Sequence, residues 1–150
     1  MRQPIELSLM EEEPYRRETC KMSNKAKGSR VERELLTLFT ENGWRSARVA
    51  GSGTNENTFC DLVAGKAGRK AVAVEVKSCK KDRIYITREQ INDFVVFSNI
   101  MGLKAVIAVR FNYEGWLFLN PKDMEDTGNN WVVSLNNARS KGKRFAQFFS

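Results

Sequence analysis

Strand-like and helix-like patterning alternate along this 150-residue chain, which predicts an α/β domain built as a mixed sheet flanked by helices. Three observations carry that prediction. Residues 70 to 78 alternate Val72, Val74 and Val76 with Ala71, Ala73, Glu75 and Lys77, and successive side chains of a strand face opposite ways. Two segments, 29 to 43 and 87 to 102, each open on a capping box, carry apolar residues at helical spacing and stop at a glycine. The length suits one domain with a sizeable core.

Residues 1 to 24 read as a flexible N-terminal extension, with Met22 as an alternative start. In the first helix Ser29 and Glu32 form the capping box, and Val31, Leu35, Leu38 and Phe39 line one face until Asn42-Gly43 closes it. On the residues alone, the cap accounts for Glu32. Trp44 to Ala50 reads as the first strand, followed by a small polar loop, Gly51 to Asn55. Cys60 to Ala64 is a short apolar segment closed by Gly65, and the turn GKAGR joins it to the strand at 70 to 78 as a hairpin. That hairpin carries Asp61 back beside Glu75.

Thr87 and Gln90 open the second helix, which runs to about Met101 and stops at Gly102. Its apolar residues, among them Phe94, Val96, Phe97, Ile100 and Met101, exceed one core-facing stripe. The surplus must be buried, either inside the monomer or against a second subunit. Lys104 to Phe111 and Trp116 to Leu119 read as strands joined through Asn112 to Gly115, and Trp131 to Leu135 as an edge strand. The basic aromatic tail, 139 to 150, sets Arg139, Lys141, Lys143 and Arg144 among three phenylalanines. It reads as a disordered terminus ahead of a phosphate-tracking segment or a short amphipathic helix.

Lysine and arginine total 25 against 18 acidic residues, a net charge of +7; the first 24 residues carry −1, so the remainder carries +8. Such a balance favours a polyanionic partner, nucleic acid before membrane. With no apolar run long enough for a signal peptide or a membrane span, the chain reads as intracellular. Cys20, Cys60 and Cys79 are odd in number and far apart, and histidine is absent. This pattern reads as reduced thiols, argues against zinc and excludes every mechanism with a histidine base.

Glu75 and Lys77 share one strand face, roughly 7 Å apart at about 3.3 Å per residue. An E-x-K pair on its own is most simply an exposed ion pair contributing ~0 to 1 kcal/mol. Asp61 in the partner strand changes the balance, because two neighbouring carboxylates repel and call for a cation. Mg²⁺ takes oxygen ligands and is commonly held by one or two carboxylates plus substrate phosphate. Lys77 beside it could donate to a phosphate oxygen or help activate water. That set of groups suits phosphodiester hydrolysis.

Asp61 followed by Glu75-Val76-Lys77 resembles the active-site signature of the PD-(D/E)-x-K nucleases, the restriction-endonuclease-like superfamily. The segments KGSRVERELLTLFTENGW, RVAGSG and DLVAGKAGRKAVAVEVKSCKKDRIYI are similar to the archaeal Holliday junction resolvases, over residues 27 to 119. The resemblance implies a restriction-endonuclease-like mixed β-sheet in a single nuclease domain, 25 to 138. It implies catalysis by Glu32, Asp61, Glu75 and Lys77 with Ser52 reaching DNA, and metal held by Glu32, Asp61, Glu75 and Val76. Mg²⁺ is the expected ion, with Mn²⁺ able to substitute. Arg30, Arg33, Arg48, Lys80 and Lys81 become DNA contacts, and Phe94, Phe97 and Met101 a homodimer interface. The implied reaction is paired, symmetric nicking of four-way junction DNA. The chain departs from the pattern at Cys60, where proline is common, and in a longer loop at Thr54 to Phe59. Another nuclease of the same superfamily acting on duplex or flap DNA, or a non-catalytic DNA-binding module, is the alternative.

Overall fold

The computed structural model describes residues 25–49 and 59–150. In chain order these form α1 (Lys25–Glu41), β1 (Arg45–Arg48), β2 (Leu62–Gly65), β3 (Val72–Cys79), β4 (Arg83–Thr87) and α2 (Arg88–Ile100). Then come β5 (Lys104–Phe111), β6 (Gly115–Leu119), a 3₁₀ turn (Pro121–Asp123), β7 (Glu125–Asp126), β8 (Asn130–Ser134), α3 (Leu135–Lys141) and α4 (Phe145–Phe148). The main sheet has the order β1-β2-β3-β5-β6. Only β3 and β5 are parallel, since the crossover through β4 and α2 returns the chain in the same direction, and the hairpins supply the antiparallel pairs. The expected mixed sheet flanked by helices is the observed one.

β3 is central, and its two-residue period divides the protein into two cores. Val72 and Val74 face α1, where they join Val31, Leu35, Phe39, Leu62 and Phe118, all at most 4% exposed. Ala73 and Cys79 face the other way, toward α2 and the small sheet, with Ile91, Phe94, Ile107 and Val109. Glu75 and Lys77 lie on this second face, opposite Ile107 and Val109 of β5 in register. Two charged residues therefore stand in a row that is otherwise apolar.

Several expectations are corrected. Helix α1 is already under way at Lys25, so Ser29 lies inside it and a capping box cannot be why Glu32 is there. The segment around Trp131 is not an edge strand, since β8 is the middle strand of a second, three-stranded sheet ordered β4-β8-β7. β4, Arg83–Thr87, alternates buried Ile84 and Ile86 with more exposed neighbours, a strand signal the sequence reading passed over. The C-terminal tail is helical and packed. Phe145 and Phe149 put their ring centroids 5.1 and 5.3 Å from that of Phe39, in edge-to-face contacts that aromatic quadrupoles favour.

Phe94, expected at a subunit interface, is 1% exposed within the core, and Ser98 beneath α2 satisfies its hydroxyl on the Phe94 carbonyl at 2.8 Å. The outward face of α2 carries Val96, Ile100 and Met101 instead. The capping box at Thr87 and Gln90 forms as read. Cys60 is a free, buried thiol, and Cys20 lies outside the described residues. Among the described residues no helix is long and apolar enough to cross a membrane.

Candidate active site

The site forms where β2 begins and β3 continues past it. The β2–β3 ladder pairs Leu62 with Val74, and the Asp61 N–H donates to the Val74 carbonyl at 3.0 Å. One step further on, β2 has no strand residue left to offer. The Val76 N–H is satisfied by the Asp61 carboxylate itself, Oδ2 accepting at 2.7 Å. This charge-assisted bond fixes the carboxylate orientation and uses a backbone donor that would otherwise be orphaned at the sheet edge. A strand residue turns its N–H and C=O to the same edge, so the Val76 carbonyl also lies on Asp61's side.

Two ion pairs complete the cluster. Lys77 Nζ stands 3.1 Å from Glu75 Oε2, with both side chains less than 20% exposed. Glu32, reaching from α1, accepts from Arg48 Nε of β1 at 3.0 Å, its side chain 16% exposed. Burial pushes the Glu75 carboxyl up to about 7, with Asp61 and Glu32 adding repulsion and Lys77 opposing it. Burial also raises Glu32, again with Asp61 adding and Arg48 opposing. For Lys77, burial disfavours the charge, yet Glu75, Asp61 and Glu32 outweigh it and hold its ammonium above the ordinary lysine value. Next to Asp61, the Cys60 thiol is pushed up to about 12, by burial first and then by Asp61 and Glu75, so it is an inert neutral side chain.

Glu32, Asp61, Glu75, Lys77 and Arg48 are thus brought into one electrostatically coupled group from α1, β1, β2 and β3. Ser52 and residues 54–58 of the loop lie outside the described residues. Arg30 and Lys80 line a polar cleft of about 190 Å³ under α1, together with Glu34, Ser78, Arg110 and Asn112. Arg33 and Lys81 are exposed nearby in sequence, on α1 and just after β3. Arg110, not apparent from the sequence, joins the cleft: its Nε donates to Glu34 Oε1 at 2.8 Å while the Trp116 indole donates to the same oxygen at 3.0 Å. A basic residue on the α1-facing side of an otherwise apolar strand was the available signal. Phe97 is half-buried, stacked on Phe59 with centroids 5.6 Å apart, and Met101 is 58% exposed.

No group of three or more His, Cys, Asp or Glu is clustered tightly enough among the described residues to cage a metal ion by itself. A hard cation such as Mg²⁺ does not need such a cage, since one or two carboxylates, waters and substrate phosphate suffice. The donor set fits that pattern: oriented Asp61, Glu75 and a carbonyl on the same edge, all hard oxygens, with no soft ligand.

The chain is also similar to known proteins. The profile of the family described as archaeal Holliday junction resolvase (Hjc) matches residues 23–149. The crossover junction endodeoxyribonuclease Hjc of Archaeoglobus fulgidus is 33% identical over 132 residues, covering 83% of this chain and 96% of that protein. The protein of the same name from Methanocaldococcus jannaschii is 38% identical over 107 residues, covering 71% of this chain and 75% of that one. Among solved structures, the 1.6 Å structure of Archaeoglobus fulgidus Hjc, a Holliday junction resolvase from an archaeal hyperthermophile, superposes with a TM-score of 0.75. That match is 29% identical and covers 81% of this chain and 99% of that one.

Proposed function

The chain belongs to the archaeal Holliday junction resolvase family, and from that membership we propose that it is a structure-selective endonuclease that hydrolyses phosphodiester bonds of four-way DNA junctions during recombination and repair. The observation that carries the reading on this chain's own residues is the Asp61–Glu75–Lys77 group, built into an apolar sheet face of a strongly basic protein. A structural ion pair would not require a second carboxylate pinned beside it.

Asp61, Glu75 and the Val76 carbonyl would hold the divalent ion, Mg²⁺ with Mn²⁺ as substitute, and Glu32 stands as a further acid. A bound ion supplies charge neutralisation at the scissile phosphate and activation of water. The Lys77 ammonium donates to a non-bridging phosphate oxygen and stabilises charge developing there. Val76 N–H keeps Asp61 from rotating away, and Arg48 keeps Glu32 turned toward the cluster. Arg30, Arg33, Lys80 and Lys81 contact flanking phosphates, which position the substrate without reading its sequence.

The protein acts as a homodimer, so that two sites meet a nearly two-fold junction and nick two strands symmetrically. The support is the outward face of α2, where Val96 is 50%, Ile100 80% and Met101 58% exposed, with Phe97 at its margin. Ile100→Asp is expected to yield monomers in light scattering, and an unchanged dimer mass would remove this face from the interface.

The reaction is tested on end-labelled four-way junction and matched linear duplex, with magnesium or with EDTA, using wild type and Glu75→Gln. Paired nicks in the junction alone, dependent on metal and on Glu75, are expected. Equal cutting of both substrates would leave a nuclease of broader choice, and no cutting of either would return the cluster to a structural role.

A further inference from the structure

One aromatic residue stands fully in solvent. Tyr113, at the tip of the β5–β6 hairpin, is 101% exposed, so no other side chain covers its ring. It is also the one non-glycine residue with positive φ among those described, at +64°. It occupies the third position of the turn closed by the Glu114 N–H on the Phe111 carbonyl at 3.1 Å, where glycine or asparagine is the unstrained choice. The ring gains no burial on folding, and its backbone conformation is a disfavoured one.

The tip is nevertheless anchored from two sides. Glu114 Oε1 accepts from Arg139 at 2.8 Å and Oε2 from Arg144 at 2.7 Å, while Arg144 also donates to the Glu114 and Trp116 carbonyls. From the other side, the Asn112 N–H donates to the Cys79 carbonyl, tying the tip to the C-terminal end of β3. Two arginines against one glutamate leave the support net positive, and Lys80 and Lys81 follow Cys79 directly. Val109, the register partner of Lys77, lies two residues before the end of β5, and Tyr113 stands in the turn directly beyond that end.

From this placement we propose that Tyr113 is a stacking platform for a nucleobase face laid open at the branch point of the DNA substrate, an inference that rests on the junction-nuclease reading. Every base has a π-face, so such a contact is indifferent to sequence, as branch recognition requires. Inside a linear duplex each base is already stacked on both sides, and Tyr113 gains nothing there. At a branch point the bordering pairs have lost a continuous neighbour, and a rigid ring on a cationic mount can replace it. Tyr113 is then a specificity-determining residue, remote from the bond that breaks.

The variant Tyr113→Gly separates the two roles of the residue, because glycine adopts positive φ freely and should relieve the strained turn. Wild type, Tyr113→Gly and Tyr113→Trp are bound in EDTA to a junction carrying 2-aminopurine beside the branch point, and to the matched duplex. The melting temperature of Tyr113→Gly should equal or exceed that of wild type. Its junction affinity should fall roughly ten- to a hundredfold with loss of 2-aminopurine quenching, while duplex affinity holds and Tyr113→Trp behaves as wild type. If wild type prefers the junction and Tyr113→Gly binds it equally well with the same quenching, the inference is overturned. If wild type itself shows no preference for the junction, the function reading falls and takes the inference with it.

Discussion

Glu75 and Glu114 each hold a cation at hydrogen-bond distance, Lys77 at 3.1 Å and Arg144 at 2.7 Å, and each side chain is 14% exposed. Their carboxyls are nonetheless displaced in opposite directions. Glu75 is pushed up to about 7 by burial, while Glu114 is held below its ordinary value by hydrogen bonds from Arg139 and then Arg144. What covers the group decides the outcome. Glu75 is enclosed by an apolar sheet face and two further carboxylates, so its single lysine cannot offset the loss of water. Glu114 is held by two arginines that favour its charge. A site poised for chemistry and a structural clamp can thus share residue types and distances and differ in the company they keep.

The strongest way to break this contrast is to remove a carboxylate from the buried cluster. Glu75→Gln or Asp61→Asn should lower junction cleavage by on the order of 10³-fold, as several kcal/mol of transition-state stabilisation disappear. Junction affinity should survive, because phosphate contacts by arginine and lysine supply most of it. Thermal stability should change less than activity, since one of several mutually repelling carboxylates has gone while others still face the Lys77 ammonium. A fall in melting temperature in step with activity and binding would make the cluster a fold element and sink the catalytic assignment.

Next in size is the cation of the buried cluster. Lys77→Met leaves Glu75 facing Asp61 and Glu32 with no neighbouring ammonium, and urea unfolding should register a loss of about 3 kcal/mol, the cost of breaking a buried pair from one side. Glu75→Gln added to Lys77→Met should recover part of that loss. Arg144→Met, which strips one of two cations from Glu114, should cost less than Lys77→Met. If the two single variants are equally destabilised, the distinction between the clusters has no energetic content.

The buried cluster was more legible in the sequence than the clamp, for a physical reason. Strand alternation is a local, two-residue pattern, so Val72 to Lys77 announced both the central strand and the shared face of Glu75 and Lys77, and the GKAGR turn announced Asp61 as neighbour. The two arginines of the clamp lie 25 and 30 residues from Glu114, and no short-range period links them. The same holds for the tail, whose phenylalanines look like a free terminus until Phe39 and Phe118 are brought beneath them. The first helix misled in the other direction: Ser29 and Glu32 have capping-box spacing, but a helix that begins at Lys25 leaves that signal without a terminus to cap. The Val76 N–H bond to Asp61 could not be read at all, because it depends on where the β2 ladder stops.

The smallest expected effect lies in the clamp, and pH isolates it. Because the folded Glu114 carboxyl titrates below its ordinary value of 4.5, folding favours the ionised form. Its contribution is therefore fully present above the unfolded value and is lost as pH falls through the folded one. Glu114→Gln should melt slightly below wild type at pH 7, and the gap should narrow on acidification through the lowered folded value. A gap that does not narrow on acidification would mean that Glu114 acts through neutral hydrogen bonding and shape rather than charge. No gap at pH 7 would mean that Arg139 and Arg144 find other acceptors, and that among carboxylates equally covered by contact only the one enclosed by apolar residues has consequences for the molecule.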